Sequence, residues 1–177
     1  LNIFELGFII ISKSGSTPET LSQLAALLEL FDQKNSLDIF YKNALIITEE
    51  SNNPLFKIAK ENKCTILKHD KNIGGRYSIF SNVAMLPAAI GGLNIKKIHA
   101  GAWDIINNNK ESLKIAKFFR YQNIFSKLSN NVMMTYSDAL FYFGKWYLQL
   151  WSESIGKDYK GITAIHAVGT TDQHSQL

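Results

Sequence analysis

Apolar residues fall into two alternating textures between Leu6 and Asp70. The segments LGFIIIS (6–12), NALIITEE (43–50) and CTILKHD (64–70) are short and carry nearly continuous apolar cores. Runs of that length, bounded by polar residues, predict strands buried in a parallel sheet. Between them the apolar positions spread out. Leu21, Leu24, Leu28 and Phe31 recur at helical spacing through ETLSQLAALLELF, and NPLFKIAKENK (53–63) predicts a second helix. Thr17 suits the N-cap of the first helix, Pro18 its first helical position and Glu19 the positive end of its dipole. Strands alternating with helices predict an α/β fold around a parallel sheet.

Beyond GGRYS (74–78) the pattern changes. IFSNVAMLPAAIGGLNI (79–95) is apolar and partly helical, with Pro87 and the pair Gly91-Gly92 as expected breaks. From Ile98 to about Gly156 the sequence is mostly helix-compatible and rich in aromatics, SDALFYFGKWYLQLWSESIGK included. GITAIHAVGTT (161–171) then predicts another strand, the start of a second α/β unit. A boundary between residues 92 and 97 follows, dividing the chain into 1–95 and 96–177. Neither a short tandem repeat nor a low-complexity tract is present.

Composition narrows the class. A chain of 177 residues can bury a sizeable core, and 46% hydrophobic with 19% charged residues describes an ordinary globular protein. The net charge of +4 is spread over scattered Lys and Arg, which argues against a nucleic-acid surface. The single cysteine, Cys64, rules out an intrachain disulfide or multi-cysteine metal site and fits a reducing, cytoplasmic setting. No apolar run approaches the ~20 residues that span a bilayer, and a signal-peptide pattern is absent. The chain opens on LNIFELGFIIIS without an initiator Met and closes on TTDQHSQL. An internal piece of a longer protein is therefore expected, with an incomplete sheet and little activity by itself.

The chemistry gathers where the first strand ends. SKSGSTPET (12–20) places Ser12, Ser14, Ser16, Thr17 and Thr20 around one strand-to-helix turn, with Gly15 and Lys13 among them. Free N–H groups and the helix dipole favour an anion there, hydroxyls add donors, and a glycine lets the backbone approach closely. Walker and dinucleotide-binding patterns are missing. An elaborate helix cap is the plainer alternative, but five hydroxyls exceed what capping needs.

Four segments carry a family resemblance. SKSGSTPET resembles the phosphosugar-binding loop of sugar isomerase (SIS) domains, Ser-x-Ser-Gly-x-Thr-x-Glu-Thr. GGRYSIFSNVAMLPAAIGG resembles the Gly-Gly-Arg-Phe/Tyr-Ser signature of the glucose-6-phosphate isomerase family. QLWSESIGK (149–157) and GTTDQHSQL (169–177) resemble that family's Gln-x-x-x-Glu-Ser-x-Gly-Lys and Gln-His segments. The four occur in the family's order across nearly the whole chain. The resemblance implies a three-layer αβα SIS-type parallel sheet, flavodoxin-like, with parts of two such subdomains present. It implies aldose–ketose isomerisation between glucose 6-phosphate and fructose 6-phosphate through a cis-enediol. Ser12, Lys13, Ser14 and Thr17 would hold the phosphate, Lys13 through its backbone N–H, and Gln149 would sit near the sugar. Glu153 would be the base, Arg76 would stabilise the enediolate and His174 would assist ring opening.

These residue types suit that chemistry. A carboxylate can move a proton between adjacent carbons, especially if partial burial raises its pKa. A guanidinium stays ionised beside an enediolate, and an imidazole transfers protons near neutral pH. Neither a metal nor a redox cofactor is required. Family members are dimers in which the histidine reaches the neighbouring subunit's site, and a sugar phosphate, not nucleic acid or membrane, is the expected partner. Singly, each residue has a simpler reading. Glu153 could be a solvated residue in a last helical turn, Arg76 could pair with Asp70, and His174 could be an idle loop histidine. His69, His99 and His166 carry no assigned role. The family's upstream Gly-Gly-Ser loop and downstream lysine have no counterpart in these residues. A non-catalytic phosphosugar sensor of the SIS class, or an isomerase for mannose or amino sugars, are the rival readings.

Overall fold

Phe8–Ile11 forms β1, Ala44–Thr48 β2 and Thr65–Lys68 β3, a parallel sheet in the order β1-β2-β3. Phe8 lies opposite Ala44 and Ile11 opposite Ile47, while Leu45 pairs with Thr65 and Thr48 with Lys68. This sheet belongs to a computed structural model that describes residues 2–125, 128–158 and 161–176. The chain divides into two compact units, one ending at His99 and the other beginning at Ala100.

In the first unit the helices are α1 (Pro18–Asp32), α2 (Leu37–Asn43), α3 (Pro54–Glu61) and α4 (Asn82–Ile90). Pro18 and Pro54 each occupy the first turn, where a missing N–H is harmless and a fixed φ helps. Side chains alternate across a strand, so one sheet face carries Phe8, Ile10, Ala44, Ile46 and Ile66. That face packs against Leu24, Phe31, Phe40, Leu55, Ala59 and Cys64 in a single apolar cluster. Phe8, Phe31 and Phe40 form its centre, with ring centroids 4.9–5.6 Å apart. Both strand crossovers advance in the same direction across the sheet, and right-handed connections then put their helices on one face.

Two expectations need correction here. Helix α2, which the apolar pattern does not announce, fills the stretch before β2. Pro87 does not break α4 but sits inside it, and Gly91 ends the helix instead. The helix is nine residues long and Pro87 removes only the N–H that would reach Val83, so little regular bonding is lost.

Ile95–Asn107 is α5 and Asn109–Phe125 is α6. In the second unit Asn130–Thr135 forms β4, Phe141–Ile155 α7, Thr163–Val168 β5 and Gln173–Gln176 the short α8. β4 and β5 pair in parallel along their whole length, from Asn130 opposite Thr163 to Thr135 opposite Val168. The expectation of mostly helical sequence from Ile98 to Gly156 therefore fails at β4. Its opening asparagines are poor strand formers, and a partner thirty-odd residues later leaves no local pattern. Helix α7 lies against this sheet through Gly144, Tyr147 and Trp151, spaced to share one face. The Trp151 indole N–H donates to Ile162 O at 3.3 Å, and Asn131 donates to the Tyr147 hydroxyl. Among the described residues no helix is long and apolar enough to cross a membrane.

Candidate functional site

The loop leaving β1 is built from hydroxyl–hydroxyl and backbone contacts. Ser12, 5% exposed, accepts the Gly15 N–H at 3.1 Å, and its Oγ lies 2.8 Å from Thr17 Oγ1. The Ser16 hydroxyl donates to Ser14 Oγ at 3.1 Å. Thr17 does hold the N-cap position of α1, but its side chain makes no capping bond. Its hydroxyl turns back to Ser12, so the opening N–H groups of α1 receive no side-chain cap from Thr17.

Neighbouring strands fix the loop from below. Lys13 O accepts the Glu49 N–H at 3.1 Å and the Thr48 hydroxyl at 3.3 Å, and Gly15 O accepts the Leu55 N–H at 3.0 Å. Gly15 has φ +63°, and a Cβ there would collide with the Asn53 amide. Asn53 is itself 5% exposed. Its Oδ1 caps α3 at Phe56 N (2.8 Å), and its Nδ2 donates to Glu49 O and Ser51 Oγ, both at 3.0 Å. The Lys13 ammonium is engaged sideways, 3.3 Å from a Glu49 carboxylate oxygen and 3.4 Å from Lys71 O. That leaves its backbone, rather than its charge, facing the turn.

A cleft of ≈ 510 Å³ opens at the carboxyl ends of β2 and β3, lined by residues 49–51 and 68–72. Parallel α/β sheets bind ligands at this edge. Just beyond it, Gly74-Gly75-Arg76 enters a 3-10 turn, Gly75–Phe80. Tyr77 N donates to Gly74 O at 2.9 Å and the Ser78 hydroxyl to Gly75 O at 2.6 Å. The Arg76 guanidinium lies over the Tyr77 ring, 5.2 Å from its centroid. Sequence reasoning assigned nothing to His69, yet it is 1% exposed and its Nε2 lies 3.1 Å from Ile73 O, directly before the glycine pair.

In the second unit Gln149 and Glu153 stand one turn apart on α7, and the Gln149 amide donates to a Glu153 carboxylate oxygen at 3.0 Å. Both are exposed, which departs from the partial burial expected of Glu153. They lie on the opposite side of α7 from Tyr147 and Trp151, which take the sheet-facing positions. His174 is the second residue of α8 and is exposed. Its turn is held by Asp172, whose carboxylate accepts the Val168 N–H at 2.7 Å while its own N–H donates to Val168 O at 2.8 Å. The Tyr136 hydroxyl donates to Gln173 Oε1 at 2.7 Å, steadying the neighbour of His174. The candidate set thus divides: Ser12, Lys13, Ser14, Thr17 and Arg76 belong to the first unit, Gln149, Glu153 and His174 to the second.

Burial shifts ionisations in both units. Burial pushes the Cys64 thiol up, partly offset by a backbone hydrogen bond. Burial likewise raises Tyr147, offset in part by the bond from Asn131.

Comparison with known proteins gives a consistent result. The family described as phosphoglucose isomerase matches residues 1–172. The glucose-6-phosphate isomerase of Rubrobacter xylanophilus is 34% identical over 174 residues, covering 95% of this chain and 40% of that protein. A probable glucose-6-phosphate isomerase of Methanococcus maripaludis is 38% identical, covering 95% of the chain and 39% of its own length. The crystal structure of a hypothetical protein from Thermus thermophilus superposes with a TM-score of 0.86 at 31% identity. That likeness covers 95% of this chain and 42% of the other. The chain therefore spans about 40% of the length of the curated relatives it matches.

Proposed function

The chain belongs to the phosphoglucose isomerase family, and from that premise we propose that the whole protein interconverts glucose 6-phosphate and fructose 6-phosphate. The observation that carries the reading is the loop after β1. Its hydroxyls surround the amino end of α1, and Thr17 turns away from capping that end. Such a terminus suits a phosphate dianion, which takes up N–H donors and sits at the positive end of the dipole. Ser12, Lys13, Ser14 and Thr17 hold it in this reading, with Lys13 acting through its backbone.

The isomerisation then needs two proton-handling groups and one fixed positive charge. His174 assists ring opening by passing a proton to the ring oxygen. Glu153 takes the C2 proton of the open aldose, and the C–H electron pair forms the C1–C2 double bond while O1 becomes anionic. Arg76 stabilises that enediolate. The O2 hydroxyl then passes its proton to O1, which ends as a hydroxyl; the C2–O2 bond becomes the ketone carbonyl, and the C1–C2 double-bond electrons take the proton back from Glu153 at C1. Gln149, bonded to Glu153, holds the carboxylate at one orientation beside the sugar. The same reading makes the protein a cytoplasmic homodimer whose partner is a sugar phosphate, not a nucleic acid or a membrane.

The test uses the full-length protein carrying this sequence, incubated with fructose 6-phosphate in deuterated water. Deuterium at C2 of the glucose 6-phosphate formed is the expected result. Glu153→Gln should abolish that exchange, whereas loss of His174 should slow ring opening and spare exchange on open-chain substrate. Tight binding without turnover would favour a phosphosugar sensor instead.

A further inference from the structure

We propose that His69 is a positioning residue, which sets the Gly74-Gly75-Arg76 turn by donating its Nε2–H to the Ile73 carbonyl. The inference rests on the isomerase reading for the role of Arg76, but its geometry stands within the first unit. A carbonyl can only accept, so the 3.1 Å contact between Nε2 and Ile73 O puts the imidazole proton on Nε2. In the neutral imidazole this leaves Nδ1 with a lone pair, buried and without a hydrogen-bond partner among the described residues. A buried acceptor left unpaired is unfavourable, and a phenyl or isobutyl group would fill similar space without that defect. Packing alone therefore does not account for an imidazole at this position. The bond to Ile73 does.

The location gives that bond its consequence. Ile73 is followed at once by two glycines, the residues with the most backbone freedom to lose on folding. A restraint applied at Ile73 limits where Arg76 can travel. His69 is itself anchored, its own N–H donating to Thr48 O at 2.9 Å. Thr48 in turn donates its hydroxyl to Lys13 O. One part-buried chain of contacts thus runs from the hydroxyl loop through β2 to the arginine turn. A second, local tie is the Asp70 carboxylate, which accepts the Asn72 N–H at 2.8 Å.

Amide side chains separate the two ring nitrogens: Gln can place its NH2 near the position of Nε2, whereas Asn places one near Nδ1. The experiment compares His69→Gln, His69→Asn and His69→Phe in the full-length protein, measuring kcat and KM for fructose 6-phosphate. Misplacing a catalytic group by about 1 Å lowers rates by as much as ~100-fold. The expected result is a kcat reduced about 10- to 100-fold in the Asn and Phe variants. KM should stay near wild type, and Gln should recover most of the rate. Equal kcat in all three variants and wild type, or equal loss in all three, overturns the proposal. Long-range 1H–15N spectra of the wild-type imidazole provide a second readout that no unfolded variant can spoil. The Nε2–H tautomer is expected, and the Nδ1–H tautomer overturns the inference. Wild-type protein that fails to isomerise would sink the isomerase reading alone, with the tautomer still deciding whether His69 pins the loop.

Discussion

Gly15 and Cys64 show how much single positions decide. Gly15 combines a left-handed backbone with the Asn53 amide where a Cβ would lie. Gly15→Ala should destabilise the first unit by about 1–3 kcal/mol and weaken the proposed sugar-phosphate binding more than it alters kcat. Thermal unfolding and KM check the two parts separately. Cys64 sits in the apolar cluster, and burial raises its thiol pKa. Tyr41 is shifted the same way, first by burial and then by the nearby Cys64 and Asp32 charges. A raised pKa means that the folded state holds the proton more tightly than the unfolded state does. Its stabilising contribution is complete below the unfolded thiol's pKa of about 8.5 and declines as pH rises through the folded value. Urea midpoints should accordingly fall as pH rises above about 8.5, and Cys64→Ala should flatten that decline.

Among the elements, α7 is the most informative. Its sheet-facing side approaches β5 so closely that a Cβ on Gly144 would enter the His166 ring. His166 is in turn fixed by Thr135 Oγ1 at 2.9 Å from Nε2 and by the Phe141 ring at 5.2 Å between centroids. Gly144→Val should therefore force α7 outward and destabilise the second unit by about 1–3 kcal/mol. Circular dichroism melts of the full-length protein would register it, as would displaced Tyr147 and Trp151 resonances. Because Gln149 and Glu153 ride on the other side of the same helix, the proposed isomerase activity should drop as well. The sequence already showed this segment as aromatic and helix-compatible, and Gly144, Tyr147 and Trp151 are the positions that face the sheet. It did not show β4, because the strand exists only through its pairing with β5.

For the whole molecule, the chain contributes two α/β units and about 40% of the length of its relatives. The first unit rests on the Phe8–Phe31–Phe40 cluster. Phe31→Ala should lower its stability by about 3–5 kcal/mol, measurable as a shifted denaturation midpoint. The proposed dimer makes a sharper prediction for the full-length protein. If His174 serves the neighbouring subunit, a Glu153→Gln protein without proton exchange and a His174→Ala protein slow in ring opening should together regain turnover of the cyclic substrate when dissociated and reassembled. Random pairing makes half the dimers hybrid with one competent site of two, about one quarter of wild-type rate. Turnover of the cyclic substrate that does not recover on mixing would place Glu153 and His174 in the same subunit's site.

What the sequence determined by itself is whatever neighbouring residues encode. The β-branched runs made β1 and β2, helical spacing with Pro18 made α1, and the hydroxyl cluster marked the loop between them. The motif order across residues 12–177 pointed to the family. Tertiary structure decided the rest, because the deciding partners lie far along the chain. Thr48 reaches Lys13 across 35 positions and Thr135 reaches His166 across 31. The Thr17 hydroxyl turns to Ser12 instead of capping α1, a choice that composition cannot distinguish. His69 looked like any lone histidine until its burial and its bond to Ile73 were visible. Local propensity is written into a few consecutive residues; burial and the pairing of polar groups arise only when distant segments meet.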